Sequence, residues 1–222
     1  MNDSAIIEKR RLPSPCVTPQ ALAFQGEKLW LSSRDLGRLY RMDVESWKVA
    51  EEVSPPGVVW AAVSLGDEMR LTIGEGPNDD RYVYRYSVRG GFEKLFACPD
   101  FTGSYLSFDG EHLYLSQWYK GQIHRVGDSG KISRTIEVGA EICGHTFANG
   151  DLYVLRGQEN KQLPNAEKWR IARLDPADAT PEIIDLATIP FASRSLTFDG
   201  ENFWSNHRAA NETIVFALPN GA

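Results

Sequence analysis

Apolar and polar residues alternate along this chain in short bursts, each interrupted by a turn containing glycine. The clearest are LSFDGEHLYLS (residues 106–116), LTFDGENFWS (196–205) and LAFQGEKLWLS (22–32). Weaker copies, AVSLGDEMRLT from Ala62 and HTFANGDLYVL from His145, complete a set of five. Alternation with period 2 on both sides of a glycine turn predicts a β-hairpin. A third extended run follows each hairpin: RLYRMDV, RYVYRYSV, QIHRVGD, RIARLD and TIVFAL. A fourth, WKVAEEV, FEKLFAC, KISRTIEV or EIIDLAT, follows the first four of these. Each unit thus predicts four antiparallel strands.

The residues at the phenylalanine column are Phe24, Ser64, Phe108, Phe147 and Phe198, at steps of 40, 44, 39 and 51 residues. A fixed period of this length marks one supersecondary unit that stacks on its neighbours because it cannot bury its core alone. Four-stranded repeats of about forty residues define an all-β propeller, here of five blades. The last blade lacks its fourth strand at the C-terminal end, and AIIEKRRLP from Ala5, ahead of the first hairpin, supplies it. The expected architecture is one domain over residues 1–222, closed by its N-terminal strand in the last blade.

Composition narrows the function. The 222 residues carry a net charge of −6 and a pI near 5.3, which argues against nucleic-acid binding, since phosphate neutralisation needs a basic face. No apolar run approaches the length of a membrane span, and MNDSAIIEKRR is too charged for a signal peptide, so no membrane association and a cytoplasmic location are expected. Three cysteines, Cys16, Cys98 and Cys143, have no disulfide-framework spacing.

In a repeat protein, core positions recur while a binding site needs unlike groups, so functional positions are sought where the five copies disagree. Four residues before the phenylalanine column stand Gln20, Trp60, Ser104, Cys143 and Arg194, five different side chains in one quasi-symmetric ring. Two residues before it, four aliphatic residues are joined by His145. The end of the second strand gives Ser33, Ile73, Gln117, Arg156 and His207. These rings are expected to converge at one mouth of the central channel, with His145 and His207 as catalytic candidates. Arg194 and Arg156 would anchor an anion, because the guanidinium fork matches a carboxylate. The alternatives are that His145 is a buried histidine satisfied by a backbone carbonyl, and that the arginines pair with Glu75, Asp79, Glu159 or Glu167. Gln20, Trp60, Tyr105, Gln117, Trp118 and Trp169 complete the substrate-binding set.

The loops after the second strand are brief in blades one and three (RDLG, WYKG). Blade two carries GEGPNDD and blade four GQENKQLPNAEKW, which places Glu167, Lys168 and Trp169 over the mouth. Long insertions on one face of a repeat protein are commonly binding loops. Phosphate-loop, dinucleotide, CxxC and HExxH motifs are absent. No cofactor is expected; a divalent metal on His145, His207 and Glu75 is the alternative.

The phrase FDGEHLYLSQWYKGQIHRV resembles the repeats of virginiamycin B lyase-like and YVTN/NHL-like propellers. The five-blade count and PQALAF at Pro19 resemble the glutamine cyclotransferases (glutaminyl cyclases), although the Asn-Glu-Leu-Glu signature of that family is absent. The lyase resemblance implies a histidine base with a second histidine and a glutamate near a magnesium ion. His145 and His207 would take the histidine positions, but WSNHR in blade five lacks the glutamate, and that family has more blades.

The expected function is a small-molecule enzyme of lyase, isomerase or cyclisation type, with histidine acid/base chemistry on an anionic or carboxylate-bearing substrate. The alternative is a non-catalytic propeller that binds a protein or peptide through its loops.

Overall fold

The computed structural model describes residues 4–160, 162 and 167–219. Part of the blade-four insertion, residues 161 and 163–166, lies outside the described residues. Twenty strands form five four-stranded antiparallel sheets. Blade one holds β2 (Pro19–Gln25), β3 (Lys28–Ser33), β4 (Arg38–Asp43) and β5 (Lys48–Val53). Blade two holds β6 (Val58–Leu65), β7 (Glu68–Glu75), β8 (Asp80–Ser87) and β9 (Gly91–Ala97). Blade three holds β10 (Leu106–Phe108), β11 (Leu113–Gln117), β12 (Gln122–Val126) and β13 (Ile132–Glu137). Blade four holds β14 (Glu141–Ala148), β15 (Asp151–Gln158), β16 (Lys168–Leu174) and β17 (Ile184–Ile189). Blade five joins β18 (Ser193–Phe198), β19 (Phe203–His207) and β20 (Glu212–Ala217) to β1 (Ile7–Pro13), the N-terminal strand, which pairs antiparallel with β20. The protein is therefore an all-β five-bladed propeller closed as its repeat arithmetic predicts.

Each blade is buried on both faces, so successive residues of a strand enter different cores. In β3, Leu29 and Leu31 pack with Trp204 and Val215 of blade five, while Trp30 between them packs with Tyr84 and Tyr86 of blade two. In β11, Tyr114 joins the core shared with blade four, and Leu113 and Leu115 belong to another. This explains why Leu29-Trp30-Leu31 and Leu113-Tyr114-Leu115 are apolar without interruption. The first strands form the inner ring, each packed on the next: β2 on β6, β6 on β10, β10 on β14, β14 on β18 and β18 on β2. The outermost strands β1 and β5 are mostly solvent-exposed.

The recurring Asp-Gly phrase is a structural device. Asp199 Oδ1 accepts from the backbone N–H groups of Glu201 (2.8 Å) and Asn202 (2.6 Å), and its Oδ2 accepts from Trp204 Nε1 at 2.6 Å. Asp109 repeats the pattern with Glu111, His112 and the Tyr114 hydroxyl. In blade one the amide of Gln25 takes the bond from Trp30 Nε1 at 3.0 Å. The side chain thus ties the turn to the aromatic residue five positions later. Replacing Asp199 with alanine should cost about 2 kcal/mol, from loss of charge-assisted hydrogen bonds, and lower Tm by roughly 4–8 °C. Thermal unfolding measures it, and an unchanged Tm would contradict the assignment.

Candidate functional site at the channel mouth

The first strands carry register shifts just where the variable ring begins: between Pro19 and Leu22, Val59 and Ala61, Ile142 and Gly144, and Arg194 and Thr197. A bulge re-aims the side chains beside it. In the next column the residues are Ala21, Ala61, Tyr105, Gly144 and Ser195, four small and one large. Tyr105 fills the space the others leave. It comes from blade three, and its hydroxyl accepts a bond from Gln20 Nε2 of blade one, a non-adjacent blade, at 3.1 Å. Tyr105 and Gln20 together floor the mouth, and burial holds the phenol well above its ordinary pKa, so it stays protonated.

Above this floor lies a cavity of about 500 Å³. Gln20, Trp60, Tyr105, Gln117 and Trp118 line it, with Arg34, Arg81, Lys120, Glu159 and Arg208 supplying the charges. One wall is prearranged: Asp79 accepts from Trp60 Nε1 at 2.9 Å and from Arg81 Nη2 at 3.1 Å, and the Arg81 guanidinium lies 3.9 Å over the Trp60 ring. Trp118 forms the other, tilted against Tyr105 and Tyr119 and edge-on to Trp169.

Arg194 reaches the mouth but is already occupied. Its Nη1 and Nη2 donate to the two oxygens of Glu167 at 2.9 and 3.0 Å, and Nη2 also donates to Glu159 at 3.1 Å. It also sits 5.0 Å over Trp118 and 5.7 Å over Trp169. Burial alone would weaken its charge; the Glu167 carboxylate more than reverses that, and its pKa is raised. Of the two readings of Arg194, pairing with Glu159 and Glu167 is the one the structure adopts. Trp169 donates from Nε1 to the same Glu167 at 2.5 Å and is 1% exposed. With Arg156 it lines a separate cavity against blade four.

Arg156, His207 and His145 stand apart from the main cavity. Arg156 donates to Asp185 of β17 at 2.7 Å and to the Val138 carbonyl at 3.2 Å, not to any of the four loop carboxylates anticipated for it. His207 lies half-buried beside Phe191 with Glu212 at 3.5 Å, and burial, ahead of the opposing Glu212 charge, lowers its pKa. His145, 1% exposed, donates from Nε2 to the Tyr105 carbonyl at 3.1 Å and accepts at Nδ1 from Ser107 at 2.7 Å. It stitches β14 to the inner strand of blade three. Glu75 is engaged by Tyr84 and Lys94, and among the described residues no group of three or more His, Cys, Asp or Glu is arranged to hold a metal ion. Gln117 spans both roles: it lines the cavity while its amide bonds Pro99, Thr102 and His124.

The mouth residue that the column comparison misses is Arg208. It follows His207 as Trp118 follows Gln117, each opening a 3-10 turn after the second strand. One position beyond the column read above, the five copies carry Arg34, Gly74, Trp118, Gly157 and Arg208. Arg34, Trp118 and Arg208 line the cavity. The two glycines leave room for neighbours: a Cβ at Gly74 would lie 1.7 Å from Asp79 Oδ1, and one at Gly157 2.9 Å from Trp169. Arg208 Nη1 donates to Gln20 Oε1 at 2.8 Å, and its Nη2 stands 3.9 Å from the Glu159 carboxylate. Burial and then the Arg194 charge disfavour its protonated form, so an added anion would relieve it.

No protein-family model matches the chain, and no curated protein matches it in sequence. In fold it is similar to solved β-propellers. It superposes on the glutaminyl cyclase of Myxococcus xanthus with a TM-score of 0.69 at 13% identity over 95% of each chain. For virginiamycin B lyase of Staphylococcus aureus the TM-score is 0.55 at 15% identity, over 95% of this chain and 99% of that one. For the PQQ-bound aldose sugar dehydrogenase of Streptomyces coelicolor it is 0.58 at 13% identity, over 96% and 97%. Identities this low carry the fold and not the chemistry.

Two predictions follow the buried charges. Arg194→Ala strands Glu167, 2% exposed, and Glu159, 11% exposed; removing one partner of a buried pair costs about 3–5 kcal/mol. Urea denaturation should show that loss, and a change under 1 kcal/mol would mean the cluster is not charged as drawn. Burial depresses His145 from the ordinary 6.5 to about 4. The unfolded chain then binds the proton more tightly, so stability present above pH 6.5 is lost as the pH falls toward 4, by about 3 kcal/mol. His145→Leu, the side chain of three other blades, should flatten that pH dependence; an unaltered profile would contradict it.

Proposed function

We propose that this protein is a small-molecule enzyme whose substrate presents a carboxylate or similar anion to Arg208 at the channel mouth. The observation that carries the reading is a guanidinium, mostly buried at the floor of a 500 Å³ cavity, hydrogen-bonded to a neutral amide while its neighbour Arg194 takes the carboxylates. Concave sites of this size with apolar walls and few convergent polar groups are typical ligand sites. That the fold's neighbours are a cyclase, a lyase and a dehydrogenase adds support for an enzyme.

The chemistry that suits the cavity is a proton-transfer reaction of the lyase, isomerase or cyclisation kind. Tyr105, kept neutral by burial and accepting from Gln20, has its own O–H to donate to a substrate carbonyl, beside the Arg208 fork. Glu159 is the carboxylate placed to move a proton. It lines the cavity and accepts from the Tyr119 hydroxyl at 2.9 Å. In this reading the acid/base role passes from the histidines to Glu159, because Glu159 lines the cavity and neither His145 nor His207 does.

Aryl carboxylates and N-acyl amino acids should raise Tm by several degrees at concentrations near a hundred times Kd, where linkage gives about 2.7 kcal/mol. Arg208→Ala should abolish the rise while moving the Tm of the free protein by less than about 3 °C, as expected for about 1 kcal/mol. A rise that survives in Arg208→Ala would refute the assignment. No rise with any carboxylate, together with capture of one stoichiometric protein partner, would favour the non-catalytic propeller instead.

A further inference from the structure

The mouth has a second lobe. A cavity of about 440 Å³ adjoins the first; Val17, Ala192 and Ala209 give it an apolar side, and the Arg194–Glu167 pair lines it opposite the residues it shares with the first. Arg34, Glu159 and Arg208 line both cavities, and so form the boundary at which the lobes meet. Two guanidiniums there face one carboxylate, and Glu159 stands 3.9 Å from Arg208. Glu159 is engaged by Arg194 and Tyr119, Arg34 is paired with Asp35 across an exposed contact that screening weakens, and Arg208 bonds Gln20.

Beyond the boundary, each lobe ends in solvent-exposed apolar side chains. Phe101 (45% exposed) and Tyr119 (65%) belong to the first lobe, and Val17 (47%) to the second. Apolar groups contiguous with a cavity around a polar centre mark an interaction surface: Phe101 and Tyr119 supply it for the first lobe, and Val17 with Ala192 and Ala209 for the second. A compact carboxylate seated on Arg208 would leave both arms empty.

We infer that the mouth takes an elongated ligand with an internal carboxylate at the Arg34–Arg208 boundary and an apolar arm in each lobe, the chemistry of an acidic residue within a peptide-like chain. This rests on the carboxylate reading of Arg208 and specifies its substrate class. An anion between the two guanidiniums relieves their mutual repulsion, and the arms cover apolar surface that is otherwise wet.

The test compares a set of doubly blocked tripeptides, acetyl-Xaa-Glu-Zaa-amide with apolar Xaa and Zaa, against acetyl-Glu-amide by calorimetric titration. The best tripeptide should bind at least tenfold more tightly than acetyl-Glu-amide, and Gln in place of its central Glu should remove binding. Ala209→Trp, which fills the second lobe from the loop after β19, should reduce the tripeptide's affinity at least tenfold and leave acetyl-Glu-amide unchanged. Val17→Trp fills the same lobe from another segment and should do the same, which guards against a folding defect in either variant. Equal affinity for long and short probes, no binding by any tripeptide, or indifference to both substitutions would overturn the inference. If acetyl-Glu-amide still binds in an Arg208-dependent manner, the carboxylate reading survives that failure; if Arg208→Ala binds it as well as the parent protein does, the carboxylate reading falls too.

Discussion

A ring of five blades leaves little room on its axis, and that shortage of space organises everything above it. Five first strands pack side by side, so at the column facing the axis large side chains cannot all be accommodated. This chain resolves the crowding with Ala21, Ala61, Gly144 and Ser195 around a single Tyr105. Gly144 shows how tight the packing is: a Cβ there would come within 2.6 Å of the Ser195 backbone. The one tyrosine closes the channel, and its hydroxyl, bonded across the axis to Gln20, becomes the floor of the site.

From that floor, charge compensation sorts two arginines that look alike in sequence. Arg194 is 3% exposed and takes two carboxylates and two indole faces. Its role is to hold the blade-four loop residues Glu159 and Glu167 against blade five. Arg208, a strand end away, is fixed by a neutral amide and faces the cavity. A largely buried guanidinium that is hydrogen-bonded to a neutral amide and reaches a carboxylate only at 3.9 Å is incompletely compensated, which is the physical basis for reading Arg208 as the anchor.

The fold was legible because the repeats share one constraint, burial against two neighbouring blades, that writes a similar strand–turn–strand phrase into each blade. Ring closure followed from strand counting. The site was legible only in part. The first-strand ring Gln20, Trp60, Ser104 and Arg194 was found because unlike residues at equivalent positions stand out, and the structure brings Gln20, Trp60 and Ser104 to one cavity. Of the second-strand ring, Gln117 lines the same cavity while Arg156 and His207 stand apart from it. Gln117 ends its strand, whereas Trp118, Arg208 and Arg34 follow the strand ends, where 3-10 and other turns, not the strand period, set the side-chain direction. His145 illustrates a different limit. Its exchange for leucine is visible in the sequence, but the Ser107 hydroxyl and Tyr105 carbonyl that satisfy it belong to the neighbouring blade. Likewise, the pairing of Arg194 with Glu167 depends on where a long loop returns, which local pattern does not encode.

The most direct test is side-chain NMR of the protein with ¹⁵N-labelled arginine, assigned through Arg34→Lys, Arg194→Lys and Arg208→Lys, during titration with a carboxylate that raises Tm. The account predicts saturable movement of the Arg208 and Arg34 guanidinium resonances while those of Arg194 remain in place. Movement of Arg194 with Arg208 unaffected would reverse the roles given to the two arginines and contradict the account.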